Sequence, residues 1–266
     1  GIQYRPRNAR ASIHMLCGEF NAAVEIYNEI IDLKQKEHPY QTLRFIPIST
    51  SIAYHEMGRY EDALEWALLS LENPEYISSG GTMKRSSHRV MATALASLGR
   101  LDEAEEHRAS NQEIALKSED EVGLAEGQYI LGLMEKARGN YLNAIGCFEE
   151  SYRYHESINR RVRMNYSLKQ LAECEVALYT SGISEVGSAR WLELLEETSR
   201  DRSYSGYLGI ALILKGELRA KQGLIKKSRE CLSEAIEISK RPETKFLKDM
   251  IAALLDKPEL SASFEG

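Results

Sequence analysis

The chain is poor in residues that interrupt or cross-link a fold. Only six of its 266 residues are proline. Those at Pro39, Pro74, Pro242 and Pro258 fall in candidate loops, which leaves long stretches free to be helical. Only four are cysteine. Cys17, Cys147, Cys174 and Cys231 form no Cys-x-x-Cys pair, which excludes a zinc ribbon and reads as free thiols in a reducing cytoplasm. No apolar run approaches the ~20 residues that span a bilayer, and no signal-peptide pattern opens the chain. The six histidines show neither His-x-x-x-His nor His-Glu-x-x-His spacing, so neither a metal site nor another cofactor is expected. There is no Gly-x-Ser-x-Gly elbow and no Ser, His and Asp set. Asn73 to Thr82, followed by Met83-Lys84, lacks the Gly-x-x-x-x-Gly-Lys spacing of a phosphate loop and reads as a linker. Glu149-Glu150 and Glu196-Glu197 read as solvated helix faces. Catalysis is therefore not expected of this chain. A net charge of −6 argues against general nucleic-acid binding and against a membrane surface. The sequence opens on Gly1 rather than methionine, with a short first helix. It is expected to be an excised part of a longer protein whose remainder carries an enzymatic or DNA-binding function.

What is present is a repeat. Glycines at Gly18, Gly58, Gly99 and Gly139 recur at steps of roughly 40 residues, and Gly223 lies about two such steps further on. Two residues after each comes a bulky apolar group: Phe20, Tyr60, Leu101, Tyr141, Ile225. Five residues after it comes a small one: Ala23, Ala63, Ala104, Ala144, Ser228. Seven residues before it stands another: Ala11, Ser51, Ala92, Gly132, Gly216. A looser position nine residues after it holds Tyr27, Ala67, Arg108, Phe148 and Leu232. Glycine closes a helix in the left-handed conformation without a Cβ clash. The two small positions then belong to helices on either side of that turn. Helices meeting at small residues approach at the short end of the ~8–10 Å interaxial range. Each unit is an antiparallel helix pair with apolar outer faces, and stacking such pairs gives a solenoid.

These motifs, Gly-x-aromatic-x-x-Ala with Leu131-Gly132 upstream, resemble the tetratricopeptide repeat family over roughly Arg7 to Lys240. The period departs from the family's usual ~34 residues. In this it resembles the long-repeat variants in the helical arms of signalling ATPases and transcription regulators, and in eukaryotic adaptor proteins. The resemblance implies an all-α, right-handed α-α superhelix of about six hairpins over residues 1–241. A capping helix and tail follow over 242–266.

In chain order, the expected pairs are Arg7–Leu16 with Asn21–Lys36, capped by Asn21; Gln41–Met57 with Glu61–Leu71, beginning or kinking at Pro47; Met83–Leu98 with Asp102–Lys117, capped by Asp102; and Glu121–Arg138 with Leu142–Ser157. A fifth, irregular pair has its turn enlarged around Thr180 to Gly187, with Ala189 in the place of Ala144. The sixth is Ser205–Gln222 with Lys226–Ser239, and Glu243–Leu255 follows as the cap.

The resemblance also implies a non-catalytic protein-binding scaffold, with the first helix of each pair lining a concave groove. Carried onto this chain, the lining comprises Ile48, Ile52, His55, Arg85, Arg89, Thr93, Glu126, Tyr129, Leu133, Lys136, Tyr166, Lys169 and Glu173. Arg163 joins them from the Arg160-Arg161-Val162-Arg163 run. Apolar, aromatic and basic groups together suit a peptide or partner protein with acidic groups, and self-association is a further partner class. The expected setting is the sensor or regulatory arm of a cytoplasmic signalling or transcription-regulatory protein. Two alternatives stand beside it: a regulator domain that binds a small effector or peptide pheromone, and a single-stranded RNA-binding solenoid built on the Arg160–Arg163 patch.

Overall fold

A computed structural model describes residues 4–37, 45–72, 81–183 and 189–257. The His38-Pro39-Tyr40 break, most of the expected linker, part of the enlarged turn and the C-terminal tail lie outside the described residues. Among those described there are thirteen α-helices and no strand. They are α1 (Tyr4–Cys17), α2 (Phe20–Glu37), α3 (Ile46–Glu56), α4 (Tyr60–Leu71), α5 (Gly81–Ser97), α6 (Leu101–Lys117), α7 (Glu121–Ala137), α8 (Tyr141–Ser157), α9 (Arg161–Thr180), α10 (Arg190–Asp201), α11 (Ser205–Lys221), α12 (Ile225–Ser239) and, after a 3₁₀ turn at Pro242–Thr244, α13 (Leu247–Leu255). Consecutive helices pack as hairpins and the hairpins stack, giving the all-α repeat superhelix. No described helix is long and apolar enough to cross a membrane.

The repeat positions do what their sizes require. Gly18, Gly58, Gly99, Gly139 and Gly223 all have positive φ and close the first helix of their pair. Ala11, Ala23, Ala63, Ala92, Ala104, Ala144, Ser51 and Ser228 are buried. The two serines tie their pairs directly: Ser51 Oγ donates to Ala63 O and Ser228 Oγ to Gly216 O, both at 2.7 Å. The variable ninth position follows the small one opposite it. A Cβ on Gly132 would lie 2.6 Å from the Phe148 ring, and one on Gly216 would lie 2.9 Å from Leu232. Glycine occurs on the first helix where a large side chain on the second fills its place.

Several local expectations are corrected. Asn21 does not cap α2, which already begins at Phe20; its Oδ1 instead accepts from Phe246 N at 2.9 Å. Asp102 lies in the first turn of α6, whose N-cap is Arg100, and Arg100 Nε pairs with Glu103 at 2.7 Å. Asp120 does cap α7, accepting from Gly123 N. Ala189 is the N-cap of α10 rather than a counterpart of Ala144, and the buried first-turn residue is Leu192. Pro47 sits in the first turn of α3, where its missing N–H costs nothing. The turns between pairs are also left-handed, at Glu119, Asn159 and Ser203. No glycine marks these positions.

The stack closes on itself. Gly206 at the start of α11 lies against the Gly18 turn so closely that a Cβ there would be 1.8 Å from Gly18 O. Phe20 is sealed between Tyr207, edge-on at 5.8 Å, and Phe246 at 5.4 Å. Ser205 Oγ donates to Glu19 Oε1 at 2.8 Å, and Asn165 Nδ2 to Leu16 O at 3.1 Å. The C-terminal segment therefore does more than cover the last pair: Phe246 and Leu247 bridge it to the first.

Candidate functional site

The inner face is built by the first helices α3, α5, α7, α9 and α11. On it, Ile52, Arg89, Glu126 and Arg163 stand a constant 37 residues apart, the step that also joins Lys136 to Glu173. Stacking brings this register together, and it produces two charged clusters.

In the first, Glu56 of α3 meets Lys169 of α9. Lys169 Nζ donates to Glu56 Oε2 at 3.1 Å and to its backbone O at 3.0 Å. Lys169 also lies 3.8 Å from Glu173, and Lys136 joins Glu173 and donates to Gln170 Oε1 at 2.7 Å. His55 Nδ1 is 3.3 Å from Glu56, its Nε2 is 2.9 Å from Ser97 Oγ, and Tyr129 OH donates to Glu56 at 3.5 Å. Burial alone would raise the Glu56 carboxyl, but Lys169 and His55 hold it at about 2. Burial would lower the Lys169 ammonium, and Glu56 and Glu173 instead hold it above its ordinary value. Both stay ionised because each is the other's counterion.

In the second cluster three arginines surround one glutamate. Arg85 Nη1 hydrogen-bonds Glu126, Arg163 Nη2 lies 3.0 Å from it and Arg89 Nε 3.3 Å. Arg85 Nε is also 2.9 Å from Asp120. Arg85 Nε and Arg89 Nε are buried ion-pair groups that make no hydrogen bond, since neither N–H is aligned on its oxygen. Against the cost of burial, the three guanidiniums hold Glu126 at about 2. Burial, with Arg163 alongside, brings Arg89 down to about 10. His155 of α8 lies beside this group with Nδ1 buried and unbonded, and burial lowers it to about 4.

An open trough is not what these residues form. His55, Arg85, Arg89, Tyr166 and Lys169 are buried, and all but Tyr166 are tied to internal partners by hydrogen bonds or ion pairs. Ile52 and Tyr129 are half-buried, while Arg163, Lys136 and Glu173 keep 23, 26 and 18% of their side chains exposed. Solvent thus reaches the inner face at these five. The basic patch does not form as a stacking platform either: Arg163 turns to Glu126, and Tyr166 is buried beneath it at 5.6 Å.

The role of Glu56 was not anticipated, although the 37-residue register pairing Lys136 with Glu173 was available in the sequence. Also unforeseen is a cavity of about 550 Å³ where the end of α8, the start of α9 and the end of α10 meet. Tyr152, Met164, Leu168, Leu194 and Tyr204 line it with Glu156, Glu197, Asp201, Arg161 and Arg202. On the outer side, His88 and His107 bring their Nδ1 atoms to 2.8 Å between α5 and α6. No cluster of three metal-ligating groups occurs among the described residues.

No curated protein matches the chain. Residues 4–37, the span of α1 and α2, match the family described as Tetratricopeptide repeat. The same glycine-closed turn recurs as far as the α11–α12 pair, so the matched hairpin is the first of a series of similar ones.

Proposed function

We propose that this chain is a non-catalytic interaction module that holds a peptide or partner protein against the inner face of its first helices. Tetratricopeptide repeats generally mediate protein–protein interaction, and the contact here falls to the solvent-reached residues Ile52, Tyr129, Lys136, Arg163 and Glu173. The observation that supports this is the composition of the inner face. A solenoid that only needed to be stable would fill that face with aliphatic groups, because buried ion pairs are weak contributors to stability. This one places charges and tyrosines there and leaves four of them accessible, with Ile52 beside them. The same reading makes the chain the sensor or regulatory arm of a larger cytoplasmic signalling or transcription-regulatory protein.

The test is capture of a partner from native extract by the wild-type chain and by a Tyr129→Ala/Lys136→Ala double variant with unchanged circular dichroism. A partner held by the first and lost by the second is the expected result. Equal capture by both would remove the inner-face assignment.

A second reading, binding of a small effector or short peptide, is favoured by the 550 Å³ cavity at Tyr152 and Tyr204, which has the size and mixed lining of a ligand pocket. Leu168→Trp, which fills it, would abolish effector binding while leaving partner capture intact.

A further inference from the structure

We propose that the cavity of about 550 Å³ between the ends of α8 and α10 binds a small organic ammonium, a molecule with an apolar or aromatic body and one cationic amine. This rests on the effector reading above and gives the effector a chemistry.

The site is separate from the inner face. α9 gives Arg161, Met164 and Leu168 to the cavity, while Tyr166, Lys169 and Glu173, on another stripe of the same helix, belong to the inner face. The walls are held by contacts of their own. Tyr152 packs edge-on against Trp191 at 5.6 Å, and Asn165 Nδ2 is committed to Leu16 O at 3.1 Å. Both are thereby kept from filling the space, whose volume falls within the ~300–1,000 Å³ of small-molecule sites.

The lining suits an apolar body. Met164, Leu168 and Leu194 stand with the rings of Tyr152 and Tyr204. Tyr204 is only 6% exposed, and its hydroxyl finds no protein partner among the described residues. A buried hydroxyl without a partner is unusual, and this one lines the cavity. Aromatic rings also attract a cation placed over their faces.

The charge of the rim selects the sign of the ligand. Glu156, Glu197 and Asp201 stand there against Arg161 and Arg202. Glu197 and Asp201 are one turn apart on α10, where like charges repel, and neither makes an ion pair among the described residues. Glu196, one residue earlier, pairs with Arg200 at 3.1 Å and with Lys215 at 2.6 Å. The helix thus neutralises a carboxylate that faces its neighbours and leaves bare the two that face the cavity. Both arginines have local roles instead. Arg161 Nε donates to Asn159 Oδ1 at 3.2 Å, and Arg202 is the C-cap of α10, where the helix end favours a cation. Burial and the Glu156 carboxylate together push the Tyr152 hydroxyl up to about 12, which puts the third acid beside the aromatic wall.

The test is calorimetric titration of the whole chain with 2-phenylethylamine and, separately, with 3-phenylpropionate, the same ring carrying the opposite charge, at matched ionic strength and pH 7. Saturable one-to-one binding of the amine and none of the carboxylate is expected. Glu197→Gln/Asp201→Asn, at exposed positions, should keep its melting temperature and weaken amine binding at least about tenfold. Leu168→Trp should abolish it by filling the cavity; if that variant fails to fold, the double variant decides alone. Tyr129→Ala/Lys136→Ala should bind the amine as the wild type does, and loss there would move the site to the inner face and overturn the proposal. No saturable heat with the amine, equal binding of the carboxylate, or unchanged amine affinity in Glu197→Gln/Asp201→Asn would overturn it as well. Saturable binding of the carboxylate alone, lost in Leu168→Trp, would overturn the ammonium and leave the effector cavity standing.

Discussion

The turns at Gly18 and Gly139 carry the same motif and have different fates. Both glycines have positive φ, 74° and 79°, and both are followed by an aromatic residue two positions on. A Cβ on Gly139 would meet nothing within 4 Å, whereas one on Gly18 would lie 2.8 Å from Tyr207 N. Tyr141 stays half-exposed and Phe20 is fully buried. The motif makes a hairpin in either case. Whether that hairpin ends at solvent or becomes a joint depends on residues outside the motif: Gly206, Tyr207, Asn21 and Phe246.

The comparison can be broken first at the joint. Gly206→Ala puts a Cβ 1.8 Å from the Gly18 carbonyl oxygen, a backbone atom that cannot step aside, and should cost more than about 4 kcal/mol in denaturant unfolding. Phe246→Ala leaves Phe20 uncovered and should cost about 3–5 kcal/mol by the same measurement. At the regular repeat, Ala144→Leu overpacks the contact between α7 and α8 and should cost about 1–3 kcal/mol. Gly139→Ala has open space around it and pays only for the left-handed backbone, about 1 kcal/mol. A Gly139→Ala effect as large as that at Gly206 would mean that the two turns are equivalent after all.

Acid offers a second way to separate regions. His88 and His155 are held at about 4, chiefly by burial, against an ordinary 6.5, so each is kept neutral in the fold. Unfolded chains take up these protons first, and their contribution is full above pH 6.5 and lost as pH falls toward 4. Glu56 and Glu126, held at about 2, contribute fully above their ordinary value of 4.5 and lose that contribution only as pH falls through about 2. Unfolding followed from pH 7 to 2 should therefore weaken in two stages. His88→Gln should shrink the upper stage, leaving the share of His155, and keep the lower one.

Five hairpins are legible because their residues recur: a glycine, a bulky neighbour and two small positions announce each of them, whereas the α9–α10 pair lacks that set and its Ala189 is an N-cap. Closure was not legible because it joins residues far apart with no period between them. Asn165 reaches Leu16 across 149 residues, and Asn21 meets Phe246 across 225. Asn21 carried a cap signature and served a different backbone group. The offsets put the inner-face residues on the first helix of each pair, but an offset within one repeat does not say which distant side chain each will meet. Arg85 and Arg89 cannot be recognised as buried until Glu126 is brought between them by the 37-residue register, and Lys169 finds Glu56 only through the curvature of the whole stack.

The claim on which the rest depends is that the two ends of this solenoid touch. Lys245 Nζ and Glu25 Oε1 lie 3.9 Å apart across that joint, both well exposed. Zero-length carbodiimide coupling of the monomer followed by peptide mass spectrometry reads the contact directly. An amide between Lys245 and Glu25, formed alongside the in-helix Lys117–Glu113 link at 2.5 Å, is the predicted result. Formation of the Lys117–Glu113 link without any trace of the other would show an open superhelix and contradict the account.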